Sequence, residues 1–122
     1  MIDPLAGRRI LVVEDETLIA MEIEGALTSL GCEIVGPVAK LERALQIARD
    51  ETFDAAILDV NIRGGRTFPV AEVLLARGVP FVLASGYGDW ALPEALQGYP
   101  RLTKPFRSDD VINAVRAICP PR

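Results

Sequence analysis

Apolar and polar positions follow two different rhythms along this chain. Ile10-Leu11-Val12-Val13, Ala55-Ala56-Ile57-Leu58 and Val79-Pro80-Phe81-Val82-Leu83-Ala84 are short runs with no polar residue and no alternation. Runs of that length predict strands covered on both faces. Cys32 to Val35 predicts another strand, broken by Gly36 and Pro37, and Arg101-Leu102-Thr103 a fifth, weaker one. Between them the period lengthens. Thr17 to Leu30 predicts a helix, with Leu18, Ile19, Ile23, Ala26, Leu27 and Leu30 on its apolar face and Gly31 as its stop. Leu41 to Arg49 repeats the pattern through Leu41, Ala44, Leu45 and Ala48. Phe68 to Ala76 is a third helix, with Pro69 tolerated in its first turn and Gly78 past its end. Asp89 to Gln97 allows only a short helix, because Pro93 interrupts it. Ser108 or Asp109 is the expected cap of a last helix running to about Ile118, with Val111, Ile112, Val115 and Ile118 inward. Arg63-Gly64-Gly65-Arg66 reads as a flexible loop.

Strands alternate with helices five times. That order predicts an α/β architecture, a doubly wound parallel sheet of five strands with helices on both faces. Such sheets place ligands beyond the carboxyl ends of their strands. The length of 122 residues suits one domain over 1–122, with a core from about 8 to 118.

Composition narrows the function. Half of the residues are hydrophobic and a quarter are charged, which suits a globular chain. The net charge is −4 with no basic run, which argues against a nucleic-acid-binding surface. No apolar stretch reaches membrane-spanning length and no secretory leader is evident, so the expected compartment is the cytoplasm. Cys32 and Cys119 form no metal motif and are expected to be reduced. The chain has no histidine, so acid–base catalysis or metal ligation by its own imidazoles is excluded.

The chemistry gathers at strand ends. Glu14 and Asp15 follow the first strand, Asp59 the third, Ser85 the fourth and Lys104 the fifth. A parallel sheet brings these to one edge. Asp59 ends a fully apolar run, where a carboxylate is costly to desolvate without partners. Three carboxylates against one ammonium leave negative charge that a divalent cation would complement. Ligands that are all oxygen select a hard ion such as Mg2+. The set suits phosphoryl transfer to a carboxylate: an Asp oxygen attacks phosphorus, while a metal, a hydroxyl and a Lys bind the outer oxygens.

Val12-Val13-Glu14-Asp15, Leu58-Asp59-Val60-Asn61, Ala84-Ser85-Gly86 and Thr103-Lys104-Pro105-Phe106 resemble, in order and spacing, the motifs of two-component response-regulator receiver domains. The resemblance spans essentially the whole chain. It implies a flavodoxin-like sheet with strand order 2-1-3-4-5. It implies that Asp59 is the phosphoacceptor and that Asp15 ligates Mg2+ directly, Mn2+ being able to substitute. Glu14 would act on the metal through water, and Asn61 would offer its backbone carbonyl. Ser85 and Lys104 would bind the phosphoryl group, with a tight turn and a cis bond between Lys104 and Pro105. It further implies a phosphorelay module that catalyses only its own phosphorylation and dephosphorylation. Its donor would be a sensor histidine kinase or a histidine phosphotransfer protein, and its output would be contact with a downstream protein, unless it acts as a phosphate shuttle or sink. Neither nucleic acid nor membrane is an expected partner. Leu83-Ala84-Ser85-Gly86-Tyr87-Gly88 is similar to a Phe-Ala-Thr-Gly-Tyr-like subgroup, many of them single-domain regulators of alphaproteobacteria.

The chain departs from the family pattern at several positions, a short fourth helix carrying Pro93 among them. Arg63-Gly64-Gly65-Arg66 stands where a Pro-x-x-x-Gly loop is usual, so that loop is expected to be more mobile. Arg101 stands three residues before Lys104, where the family has a switch aromatic. Tyr87 is therefore a candidate to report the state of Asp59 in place of residue 101, the alternative being a passive lid that slows water attack on the acyl phosphate. The acidic pair is Glu-Asp, a common variant. Other readings are a receiver cut from a hybrid kinase, a partner-binding pseudo-receiver, and a haloacid-dehalogenase-like phosphatase. The last needs a second Asp two residues after its nucleophile, and that position is Asn61.

Overall fold

The computed structural model describes residues 3–86 and 92–120. Five strands form one parallel sheet: β1 (Arg9–Val13), β2 (Glu33–Val38), β3 (Ala55–Asp59), β6 (Phe81–Ser85) and β7 (Arg101–Thr103), in the order β2-β1-β3-β6-β7. A small antiparallel pair, β4 (Asn61–Ile62) and β5 (Gly65–Arg66), lies between β3 and the next helix. With that pair set aside, the order is the expected 2-1-3-4-5. Among the described residues there are four α-helices: α1 (Thr17–Thr28), α2 (Leu41–Asp50), α3 (Phe68–Arg77) and α4 (Ser108–Ile118).

The pleat explains why the central strands are apolar throughout. Leu11, Val13, Ala56, Leu58, Phe81 and Leu83 pack into one core layer with residues of α2 and α3. Ile10, Val12, Ala55, Ile57, Val82 and Ala84 turn to the other face and pack with residues of α1 and α4. Successive side chains of a strand point to opposite faces, so a sheet covered on both sides leaves no position for a polar residue.

Several sequence expectations need correction. Gly36 and Pro37 do not end β2. The strand runs to Val38 through an irregularity in its pairing with β1. Gly36 takes φ +107°, and a Cβ there would lie 2.8 Å from the Val12 carbonyl oxygen, so only glycine fits. Pro37 is tolerated because β2 is the edge of the sheet. The Arg63–Arg66 segment is not a free loop. Gly65 and Arg66 pair as β5 with the preceding Asn61 and Ile62 of β4, Leu41 N–H donates to the Arg63 carbonyl, and Lys40 and Arg63 form a bridge. Leu18 was expected on the buried face of α1, yet it is 81% exposed, as Met21 is 60% exposed. Ser108 is the first residue of α4 and not its cap. Arg107 precedes it, and the Asp110 carboxylate accepts the Arg107 N–H at 2.8 Å. The short helix expected over 89–97 is a 3-10 turn at Glu94–Leu96, its first residues lying outside the described range. Tyr99, which no periodicity singled out, stacks on Phe81 with ring centroids 4.8 Å apart.

Candidate functional site

Strand register builds the site. Val12 pairs with Ile57. Two residues further on, the same pleat carries Glu14, just past β1, beside Asp59, the last residue of β3. Two supports fix them there. The Val38 carbonyl accepts the Glu14 N–H at 2.9 Å, which carries the β1–β2 ladder one step past the strand. Val60 N–H donates to the Ala84 carbonyl at 2.9 Å, which does the same for β3 and β6. On the far side, Lys104 N–H donates to the Ser85 carbonyl at 2.8 Å, so the chain leaves β7 alongside the end of β6. The Lys104–Pro105 bond is cis, as expected.

Asp59 is 3% exposed and Glu14 2%. Lys104 Nζ lies 2.9 Å from Asp59 Oδ2, 3.0 Å from Glu14 Oε1 and 3.2 Å from Glu16 Oε1. Asp59 Oδ1 accepts the Asn61 N–H at 3.1 Å. Glu14 Oε2 accepts the N–H groups of Asp15 and Glu16 at 3.0 and 3.3 Å. Glu14 Oε1 is buried, and its contact with Lys104 is an ion pair outside hydrogen-bond geometry; it has no hydrogen-bond partner among the described residues. Burial, and then the neighbouring Asp59 carboxylate, push the Glu14 carboxyl up to about 8, with Lys104 opposing. Burial alone would lower the Lys104 pKa, but the Asp59 and Glu14 carboxylates outweigh it and hold the ammonium above the usual lysine range.

One ammonium thus faces several carboxylates. Oxygens of Glu14, Asp15, Glu16 and Asp59 all lie within 4.8 Å of one another. The donors are all oxygen, one of them is a buried atom without a hydrogen bond, and the charge is in excess. These residues fit a hard divalent cation such as Mg2+. Ser85 is buried at the end of β6, next to Ala84, the register partner of Asp59. Asn61 opens β4 with its side chain exposed. Arg101 is exposed on β7, where its guanidinium donates to the Gln97 carbonyl at 3.4 Å. Tyr87 lies outside the described residues.

Two residues were not anticipated at the site. Glu16 adds an exposed carboxylate to the Lys104 ammonium; the signal was its place in an unbroken acidic triplet. Thr67 is wholly buried, and its Oγ1 donates to the Asp59 carbonyl at 2.7 Å. A Thr before Phe-Pro reads as an ordinary helix cap. Here its hydroxyl makes no cap bond to α3 and holds the backbone of Asp59.

This chain belongs to the response regulator receiver domain family, whose pattern it matches over residues 10–116. It is 46% identical to SdrG from Sphingomonas melonis Fr1. That solution structure superposes with a TM-score of 0.80 and covers 91% of this chain and 95% of that one. The receiver domain of the sensor histidine kinase PA1611 from Pseudomonas aeruginosa PAO1 is 25% identical, with a TM-score of 0.79 over 93% of this chain and 98% of that one. Its structure has a magnesium ion coordinated in the active site cleft. The transcriptional regulatory protein PdtaR of Mycobacterium tuberculosis is 31% identical over 117 residues, 93% of this chain and 57% of that protein. The chain spans about half the length of the curated relatives it matches, 57% and 47%. The fold and family are those of a phosphoacceptor module in two-component signalling, which removes the haloacid-dehalogenase reading. Among the described residues no helix is long and apolar enough to cross a membrane.

Proposed function

We propose that Asp59 accepts a phosphoryl group from a phosphohistidine on a sensor kinase or a histidine phosphotransfer protein. The observation that carries this reading is the buried Asp59 carboxylate, 2.9 Å from the Lys104 ammonium and inside a cluster of carboxylates. An Asp59 oxygen attacks phosphorus, a P–O bond forms, and the P–N bond to the donor imidazole breaks. Lys104 binds an outer phosphoryl oxygen once its hold on the free carboxylate is shared, and the Ser85 hydroxyl binds another. Asp15, Asp59 and the Asn61 carbonyl would hold Mg2+, and Glu14 would act on it through water. The ion supplies charge neutralisation for the entering phosphoryl group. Water later attacks the acyl phosphate and restores the carboxylate, so the chain's chemistry is confined to itself.

The donor meets the chain on α1. Leu18 and Met21 are one turn apart, large, apolar and exposed, directly after the acidic triplet. Beside them a groove of about 340 Å3 is lined by Glu16, Ile19, Glu22, Lys104, Pro105 and Phe106, and it leads to the site. The phosphorylated state is reported by Tyr87, because the exposed Arg101 cannot provide a buried aromatic that rotates. Output is contact with a downstream protein.

The test is labelling by acetyl phosphate or a phosphorylated kinase. Label requires Mg2+, is lost in excess chelator and is absent from Asp59→Asn. Full labelling of that variant would overturn the assignment. Tyr87→Ala keeps its label and weakens phosphorylation-dependent partner binding.

A further inference from the structure

The molecule carries a second recognition surface, far from the acidic cluster in charge and in chemistry. β2 is an edge strand, paired with β1 alone among the described residues. Beside it and against α2 opens a groove of about 580 Å3 whose lining includes Ile34, Gly36, Arg9, Lys40 and Arg43. Among the described residues Glu51 is the one carboxylate in that lining. Arg9 is shared with Glu33 at 3.6 Å, and Arg43 donates to Gln46 at 2.9 Å. Lys40 has no carboxylate within ion-pair distance among the described residues. Neither does Arg63, whose backbone bridges to that of Lys40. These cations sit on a chain whose net charge is −4.

The backbone adds direction. Glu33 N–H donates to the Arg8 carbonyl, so Glu33 and Val35 turn their backbone groups to β1. In a parallel ladder the alternate residues turn theirs away. Ile34 therefore presents its N–H and C=O groups to the groove, and the pairing irregularity at Gly36 ends the regular alternation there. Pro37 has no N–H, which limits any added pairing to a short stretch. A ligand with so few main-chain bonds needs charge to hold it. A second copy of this edge would bring the same cations against themselves, so a symmetric pairing is disfavoured. A small anion would make no use of the free edge.

We propose that the open edge of β2 is a docking groove for an extended acidic segment of a partner protein, which adds to the sheet as a short outer strand with its carboxylates toward Lys40 and Arg43. The proposal stands apart from the chemistry of Asp59.

The test is an NMR titration of the whole chain with a short capped peptide of alternating Glu and Val. Its Lys/Val counterpart and inorganic phosphate serve as comparisons. The Glu peptide shifts the amides that line the groove and slows the exchange of the Ile34 amide with solvent. Its binding weakens about tenfold in Lys40→Glu/Arg43→Glu, both exposed positions, and weakens with added salt. The Lys peptide does not bind. Absence of binding by the Glu peptide, equal binding of the two peptides, or saturation of the same amides by phosphate alone would overturn the proposal. So would unchanged affinity in a double variant whose Tm matches the parent.

Discussion

One strand ends in an aspartate at each side, and the two are treated differently. Asp54 lies just before β3 and Asp59 closes it. Asp54 completes a reciprocal pair: its Oδ2 accepts the Arg9 N–H at 2.7 Å, while its own N–H donates to the Arg9 carbonyl at 2.7 Å. Its Oδ1 faces Arg8 at 3.9 Å, and its side chain is 41% exposed. Every demand of that carboxylate is met by backbone, arginine or water. Asp59 is buried among other carboxylates with one ammonium between them. The first arrangement extends a β-ladder. The second keeps unbalanced charge at a place where charge is expensive. The lesson is that the partners of a carboxylate, more than its position on a strand, separate a structural role from a chemical one.

The largest expected effect is on chemistry. Asp59→Asn abolishes phosphoryl labelling and leaves a folded chain. Because it removes a charge from a crowded cluster, its metal-free Tm stays equal to the parent's or rises. A variant that loses its fold instead would break the comparison, since Asp59 would then be as structural as Asp54.

The next effect is on pH and metal. Glu14 is raised from 4.5 to about 8, so across that window the folded chain binds more protons than the unfolded one. The stability this contributes is present in full below about 4.5 and is lost as pH rises toward 8. Lys104 is raised as well, and its contribution is lost only above the ordinary lysine range, outside this window. The Tm of the metal-free chain is therefore expected to fall between those two pH values, and Glu14→Gln to flatten the fall. Mg2+ needs ionised ligands, so it raises Tm more at the upper end than at the lower. A Tm that is flat or rising in the metal-free parent would show that the carboxylates are not in excess.

Much of this was legible from residue order. Apolar runs of strand length, each ending in a polar group, gave both the sheet and the residues at its carboxyl edge, because a covered parallel strand has few other ways to be written. Register then did what spacing alone could not: pairing of Val12 with Ile57 sets Glu14 beside Asp59. The sequence misled where tertiary context overrides a local rule. Gly36-Pro37 reads as a break, but an edge strand accepts it. Leu18 has the helical spacing of a core residue and faces water. Thr67 looks like a cap and instead bonds the backbone of Asp59.

Thr67 sharpens the comparison. Thr67→Val keeps shape but removes the donor to the Asp59 carbonyl, at a cost of about 2 kcal/mol for a buried group. Thr67→Ser restores the donor and most of the stability. If the bond positions Asp59, the valine variant also labels more slowly at equal Mg2+, and the serine variant recovers that rate. Normal labelling in a destabilised valine variant would confine Thr67 to the fold.

The smallest effect belongs to Asp54, and it closes the comparison. Asp54→Ala leaves the Arg9 N–H without its acceptor and costs about 1.5 kcal/mol, the low end for a bond to a charged group because the side chain is partly exposed. Asp54→Asn keeps a carbonyl oxygen for that N–H and loses only charge, at the cost of about 0.5 kcal/mol typical of an exposed pair. The gradient between the two variants isolates the hydrogen bond from the distant Arg8 contact. Urea unfolding measures both values. Neither variant changes labelling of Asp59, because β3 transmits no charge from one end to the other and its pairing with β1 is held by Ala55 to Leu58. Slowed labelling in Asp54→Ala at full folding would mean that the two ends of the strand are coupled and that the division between them is wrong.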